Sequence, residues 1–263
     1  MAITTLDGYI GAAKQTIIHA KTATITAVAQ QVTSVGHLAG TAGATTLAGT
    51  NATVGVIQTD GLTGYPVINA FTGGAKGYIS RIGGYYSVSG RLILVDFLLK
   101  LGTFAFNAAV SGLTTLDISG RVPGGTDFTG CEIWLEAVTA FTGNQTIAVT
   151  YIDGNNAAQT TGTIATGVAP IIGRCLRLPL ANGSGVKSIT GVTSTVSTIG
   201  TFNVLLVRRL HVMRIPFAGY SEQRDLYGTG MPEVFADSAL GIFVQPDSTA
   251  SALPEWEIEI ANG

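Results

Sequence analysis

The chain has 263 residues, a formal net charge of −2 and a hydrophobic content of 46%. That length and apolar content can build a substantial core, as one large domain or two smaller ones. The near-neutral charge argues against nucleic acid and anionic membranes as partners, because both attract clustered Lys and Arg. Only 11% of the residues are charged, whereas soluble domains average about a quarter.

The first segment of the chain has helical periodicity. Leu6, Ile10, Ala13 and Ile17 recur at spacings of four, three and four, and Thr5 stands where an N-cap would be. This pattern predicts an amphipathic helix that begins after Thr5.

The sequence pattern of the next segment is compatible with either a helix or a strand. Ile25, Val28, Val32 and Val35 form a second helical stripe that ends at Gly36. Residues 22–27 also alternate Thr with Ala or Ile, and β-branched residues disfavour a helix. A second helix and an extended strand both remain open here.

Residues 22–59 contain no Asp, Glu, Lys or Arg, and residues 36–64 are mostly Gly, Ala and Thr. We therefore expect residues 1–64 to form an N-terminal arm of helix plus extended chain, which orders against neighbouring subunits. The candidate subunit contacts are its apolar residues: Leu6, Ile10, Ile17, Ile25, Val28 and Val32.

Residues 65–263 show short strand patterns separated by turn residues, which predict a mainly β body. The fold class expected is a β-sandwich of jelly-roll type behind the N-terminal arm. The predicted strands are 78–82, 91–101, 131–141, 146–151, 159–164, 174–180, 186–196, 202–210, 240–244 and 256–260.

Three details of these strands allow sharper predictions. Residues 91–101 are apolar on both faces, so this strand should be buried on both sides and Asp96 within it needs a partner. Turn residues at 142–145 predict a hairpin between strands 131–141 and 146–151. A second tight turn is expected at 153–156.

No pattern of residues indicates catalysis, a cofactor or zinc. The three histidines are scattered, and the chain has neither a Gly-x-Ser-x-Gly turn nor a Walker-type loop. Cys131 and Cys175 are expected to be buried free thiols. We therefore expect a non-enzymatic protein without cofactors, made in the cytoplasm without an export signal.

The last strand carries Glu255, Glu257 and Glu259 at period two. In a strand, this spacing places all three carboxylates on one face. They could bind a cation or pair with basic residues of a partner, or they could form the solvated face of an amphipathic strand.

Two further sets of residues are candidate contacts. Arg208 and Arg209 end a strand and must point to opposite faces, so they could form an inter-subunit ion pair or a solvated strand end. Trp134, Trp256 and the tyrosine pair at 85–86 could stack on sugars, which would make the chain a carbohydrate- or receptor-binding module.

The chain resembles virion structural proteins of tailed bacteriophages. The resemblance lies in EIWLEAVTAFTGNQ at 132–145, in residues 232–263 with ADSAL at 236–240, PDST at 246–249 and EIEIANG at 257–263, and in the opening residues 1–43. These segments carry no catalytic or ligand-binding motif, so no functional residue follows from them.

The resemblance implies a place in the virion, as a capsid decoration, cement or minor capsid protein. Such proteins are often sandwich modules that form trimers and bind the major capsid protein, so the partners implied are virion proteins and further copies of the chain. A tail, collar or baseplate component is the alternative position in the particle.

Overall fold

The computed structural model describes residues 3, 5–72, 76–106, 109–141, 143–144, 146–166, 171–194 and 199–263. Antiparallel strands dominate these ranges, and the α-helices in them are the short α1 (Leu6–Gly11) and α2 (Leu226–Thr229). Within these ranges, no helix is long and apolar enough to cross a membrane.

A closed barrel of six strands forms the centre of the fold. Its strands are β3 (Val32–Ser34), β6 (Gly90–Ala105), β8 (Cys131–Thr139), β12 (Arg174–Arg177), β14 (Thr201–Ile215) and β17 (Ala239–Pro246). Around the barrel their order is β14-β8-β12-β3-β17-β6, and pairing of β6 with β14 closes the ring. A further strand, β4 (Asn51–Ile57), pairs with β6 beyond the end of β17.

Two antiparallel sheets flank the barrel. One of them, the β5 sheet, consists of β1 (Ala13–Ala20), β5 (Gly77–Tyr86), β15 (Tyr220–Arg224), β16 (Glu233–Val234) and β19 (Pro254–Asn262). Its strands run in the order β1-β19-β5-β15, and β16 also pairs with β5.

The second flanking sheet, the β9 sheet, consists of β7 (Ala109–Ser111), β9 (Thr146–Asp153), β10 (Ala158–Thr160), β11 (Ile164–Ala165) and β13 (Val186–Ser194). Its strands run in the order β10-β9-β13-β7, and β11 also pairs with β9. A separate ladder joins β2 (Ile25–Ala27) to β18 (Ala250–Ala252).

Apolar side chains fill both spaces between the barrel and its flanking sheets. Phe202 and Leu206 of the barrel pack in one cluster with Val149 of the β9 sheet. On the other side, Ile242 of the barrel packs in a cluster with Trp256 of the β5 sheet. Because non-directional apolar burial is the main favourable term in folding, these two layers hold the flanking sheets to the barrel.

A third cluster lies inside the barrel. The ring of Phe243 meets that of Phe97 edge-on at 5.4 Å and lies 5.0 Å from the indole of Trp134, measured between centroids. The Tyr65 ring packs against that of Phe97, with 5.6 Å between the ring centroids. The barrel is therefore a packed core, as expected for a barrel of few strands.

The predicted fold class is confirmed: the chain is mainly β, its sheets pack face to face, and a short helix precedes them. The buried strand at 91–101 lies within β6, where Asp96 has partners, and the turn at 153–156 joins β9 to β10. Both cysteines are buried and free.

The hairpin predicted at 142–145 is wrong, and residues 142 and 145 lie outside the described ranges. β8 pairs with β12 and β14 in the barrel, whereas β9 belongs to a flanking sheet. Both edges of β8 are occupied, by β12 and by β14, so β9 has no free edge of β8 to pair with. The predicted strand 186–196 appears as β13, and its last two residues also lie outside the described part of the chain.

The N-terminal helix ends earlier than its apolar stripe predicts. Thr5 caps α1 by accepting a hydrogen bond from the Gly8 amide at 3.0 Å, but the chain becomes extended after Gly11 and enters β1. β1 then pairs with β19 along its whole length. Pairing buries Ile17 and His19 on one face, so burial in the sheet overrides helical periodicity.

The segment 13–64 is part of the body rather than an arm. It supplies β1, β3 and β4 to the main sheets, and no second helix forms at 25–35, where β2 and β3 stand instead. Lys21 binds the loop that follows, donating to the carbonyls of Leu38 at 3.0 Å and Gly43 at 2.8 Å. The uncharged residues are thus ordered by their own chain.

Buried His19 makes stability depend on pH. The side chain is 2% exposed, and burial together with the charge of Lys21 lowers the pKa of His19 to about 3. The unfolded chain takes up a proton near pH 6.5 and the folded chain does not, so stability falls as pH drops from 6.5 towards 3.

We therefore expect His19→Leu to flatten the acid limb of the stability curve. Between pH 7 and pH 5, the wild type should lose roughly 2 kcal/mol more than the variant. Urea unfolding at both pH values measures this difference. His37 and His211 are present in both proteins, so equal losses would contradict the assignment to His19.

Candidate functional site

The outer face of the β5 sheet brings together candidate residues that lie far apart in the sequence. Glu255 of β19 pairs with Tyr85 of β5, and Glu257 pairs with Gly83. Side chains of directly paired residues lie on the same face about 5 Å apart. Three carboxylates at period two and one predicted aromatic residue therefore share a single surface.

An open groove runs along this surface. It has a volume of about 520 Å³ and is lined by Arg81, Tyr85, Gln223, Glu255 and Glu257. A second cleft of about 520 Å³ shares Arg81 and Gln223 with it, so the depression continues along β15. We call the whole depression the β5 groove.

Gly83 forms the floor of the groove. It lies between Glu257 on β19 and Gln223 on β15, and it places no side chain between those two. A Cβ added at Gly83 would meet nothing closer than the Glu257 Cβ at 3.8 Å. The gap is therefore open space that faces outward.

Arg81 pairs with two of the three glutamates of the acidic row, which consists of Glu255, Glu257 and Glu259. Its guanidinium lies 2.6 Å from a Glu257 carboxylate oxygen and 3.8 Å from one of Glu259. Glu259 also accepts hydrogen bonds from Ser80 at 2.8 Å and from the Tyr9 hydroxyl at 3.0 Å. Burial and this last bond raise the pKa of Tyr9.

The three glutamates of the acidic row do not converge on a common point in the part of the chain that the structure describes. No three His, Cys, Asp or Glu side chains converge there on a point that could hold an ion. Glu255 lies at the open end of the row, and its carboxylate has no ion pair or side-chain hydrogen bond with any described residue.

The indole groups lie elsewhere. Trp256 is fully buried between the β5 sheet and the barrel, Trp134 is buried inside the barrel, and Tyr86 is also buried. None of these three can stack on a sugar. Of the aromatic residues named from the sequence, only Tyr85 lines the groove.

A second exposed feature is the apolar side of α1. Leu6 is 56% exposed and Ile10 is 64% exposed, and their spacing places them on one side of the helix. Tyr227 of α2, which is 81% exposed, lines a small cleft with Leu6. We call Leu6, Ile10 and Tyr227 the α1–α2 patch.

Helix α1 is held in place although it buries no side chain. Tyr9 ties it to β19 through Glu259, and the Lys14 ammonium donates to the Tyr9 carbonyl at 2.9 Å. A six-residue helix is too short to persist alone, so these bonds fix the direction in which Leu6 and Ile10 point.

The other predicted subunit contacts lie inside the chain. Ile17 and Ile25 belong to the core between the β5 sheet and the barrel, and Val32 packs against the barrel interior. Their contacts are made with their own chain because β1, β2 and β3 are part of its sheets. Val28 is half-buried in the turn after β2.

Both arginines pair with carboxylates of their own chain. The Arg208 guanidinium lies 3.6 Å from Asp96, and that of Arg209 lies 3.3 Å from buried Glu132. They do point to opposite faces of β14, as their adjacency requires. Each finds a carboxylate there that the sequence pattern did not identify as its partner.

Asp96 is the centre of a buried ionic cluster. Arg121 forms an ion pair with one of its oxygens, and Ser238 donates to the other at 2.8 Å. Arg208 completes the cluster and also donates to the Glu233 carbonyl at 2.6 Å. Only the need of Asp96 for a partner was visible in the sequence.

No family model and no curated protein sequence matches the chain. Among solved structures, that of infectious bursal disease virus Gx strain aligns over 95% of this chain and 81% of that chain, at 7% identity and a TM-score of 0.20. A mutant VP2 protein of infectious bursal disease virus, from derived T=1 particles, aligns over 95% and 78% at 8% identity and a TM-score of 0.19. TM-scores this low establish no common fold.

Proposed function

We propose that the chain is a non-enzymatic structural component of a bacteriophage particle, a capsid decoration, cement or minor capsid protein. The observation that carries this proposal is the α1–α2 patch, in which a short helix fixed to the body displays Leu6 and Ile10 to solvent. The resemblance of residues 132–145 and 232–263 to virion structural proteins of tailed phages supports it.

The patch has the chemistry of an assembly contact. Full burial of a Leu or Ile side chain contributes about 1.5–3 kcal/mol each, and large aromatic residues such as Tyr are enriched at interfaces. Because hydrogen bonds to β19 already fix the helix, docking would order few additional groups. The proposed partners are the major capsid protein and further copies of this chain, with a trimer as the expected oligomer.

The double variant Leu6→Ser/Ile10→Ser tests this contact. We expect its incorporation into particles to fall by at least about tenfold, because the apolar burial is lost. Its thermal midpoint should stay unchanged, since neither side chain packs in the core. Quantitative mass spectrometry of purified particles measures incorporation.

The matched control is Val67→Ser/Ile199→Ser, which removes two apolar side chains elsewhere that are 70% and 75% exposed. Wild-type incorporation of the Leu6/Ile10 variant would show that the patch is not the contact. Particles that lack the wild-type chain would overturn the proposed function itself. Recovery of the chain with separated tails, rather than heads, would replace the capsid role with the tail role.

A further inference from the structure

We propose that the β5 groove is a binding site for a neutral oligosaccharide. The Tyr85 ring stacks on one sugar ring. Glu255 accepts hydrogen bonds from the sugar hydroxyls, and Gln223 both accepts and donates. The inference does not depend on the role in the particle, because the groove and the α1–α2 patch are formed by different residues.

The shape of the groove suits an extended chain of rings. Gly83 opens a gap between Glu257 and Gln223, and Tyr85 stands beside that gap on the same strand face. The depression continues past Arg81 along β15. A sugar ring lying on Tyr85 would extend one neighbouring ring over Gly83 and another towards Arg81.

The polar groups in the groove are those that recognise vicinal hydroxyls. Carboxylates accept two hydrogen bonds side by side, guanidinium donates two, and a carboxamide does one of each. Arg81 is held in place by Glu257 and Glu259, so its planar group is presented without further ordering. Such prior fixation lowers the entropic penalty of binding.

The groove is net negative, but most of its carboxylates already have partners within the chain. Glu257 and Glu259 are occupied by Arg81, and Glu222 by Arg224 at 2.7 Å. Asp225 accepts hydrogen bonds from the amides of Tyr227 and Gly228 in α2. Glu255 is the groove carboxylate left without a described partner, and a single carboxylate suits a hydroxyl pair better than a run of cations.

The test uses the full chain and neutral tetrasaccharides of glucose, mannose, galactose and N-acetylglucosamine, with decalysine as the competing probe. Saturation-transfer NMR detects binding, and calorimetry measures Kd. We expect at least one tetrasaccharide to bind with Kd of roughly 1 mM or tighter. Gly83→Leu should weaken that binding by at least about tenfold, because its side chain fills the gap.

Three further variants serve as controls. Tyr85→Phe should retain binding within a few-fold because the ring remains, whereas Tyr85→Ala should weaken it about tenfold. Gly183→Leu adds the same side chain at a glycine with open space around it, outside the groove, and should bind like the wild type. Should Gly83→Leu fail to fold, Glu255→Ala decides, since it breaks no described contact.

Each of three results would overturn the proposal. The first is that no tetrasaccharide binds at millimolar concentrations. The second is that a tetrasaccharide binds equally well to Gly83→Leu and to the wild type, which would place its site elsewhere. The third is that decalysine binds in the groove while every sugar fails, which would make the groove a site for cationic peptides.

Discussion

Replacing Asp96 by Asn is expected to lower the free energy of unfolding by about 3–5 kcal/mol. Asp96 is fully buried and is the carboxylate shared by Arg121 and Arg208. The substitution keeps the size of the side chain but removes its charge. Arg208 then loses the carboxylate it pairs with, and Arg121 keeps only the more exposed Asp237 at 3.5 Å. A buried unpaired charge is among the most destabilising changes in a protein.

Urea unfolding followed by tryptophan fluorescence measures this effect, because both indoles are buried. The matched control is Asp247→Asn, whose ion pair with Arg214 at 3.0 Å lies at the surface. That variant should lose less than about 1 kcal/mol, as exposed pairs do. Similar losses in the two variants would mean that the buried cluster contributes no more than a surface pair.

Replacing Phe243 by Ala is expected to destabilise the chain by about 3–5 kcal/mol. Phe243 is fully buried inside the barrel, where its ring contacts those of Phe97 and Trp134. Removal of the ring leaves a cavity. The strands of a closed barrel are held by their hydrogen bonds to both neighbours, so they cannot move inward to fill it. The two aromatic contacts are lost together with the transfer free energy of the ring.

Phe217→Ala is the control for this second variant. Phe217 is 70% exposed, so its truncation should change stability by no more than about 0.5 kcal/mol. Thermal or urea unfolding of both variants at pH 7 gives the comparison. A loss below about 1 kcal/mol in Phe243→Ala would indicate that the barrel interior relaxes around the missing ring.

The strands of the body were predictable because their signals are local. The buried strand β6 stands out because neither of its faces is polar, and that same observation required a partner for Asp96. The alternation in β19 correctly placed Glu255, Glu257 and Glu259 on one face. The turn after β9 carries its own Asn and Gly residues, so this hairpin could be located without tertiary information.

The N-terminal prediction failed where local and tertiary preferences compete. Residues 6–17 have helical periodicity, but only Leu6–Gly11 is helical. From Ala13 onward, the ladder with β19 offers paired amides and a buried face for Ile17. That partner strand lies some two hundred and forty residues away, so no window around residue 13 contains the information.

The β5 groove could not be predicted either, because it depends on the pairing of strands that are distant in the sequence. Tyr85 and the glutamate row could each be named from the sequence, but for separate functions. Their meeting depends on the register between β5 and β19, which pairs Glu255 with Tyr85 and Glu257 with Gly83. Gly83 had no signal of its own, because a glycine in a strand looks the same whether it marks a bulge or a gap.

By itself, the sequence determined three things: the mainly β class of the chain, the segments that form its main strands, and the apolar faces of those strands. It could do so because side-chain period and turn chemistry act over a few residues. The tertiary structure alone decided that the central strands close into a barrel, that the uncharged segment is covered by its own chain, and that Arg208 pairs with Asp96. Those outcomes depend on which distant strands pair and in which register, and the free energy of that choice comes from burial shared across the whole molecule.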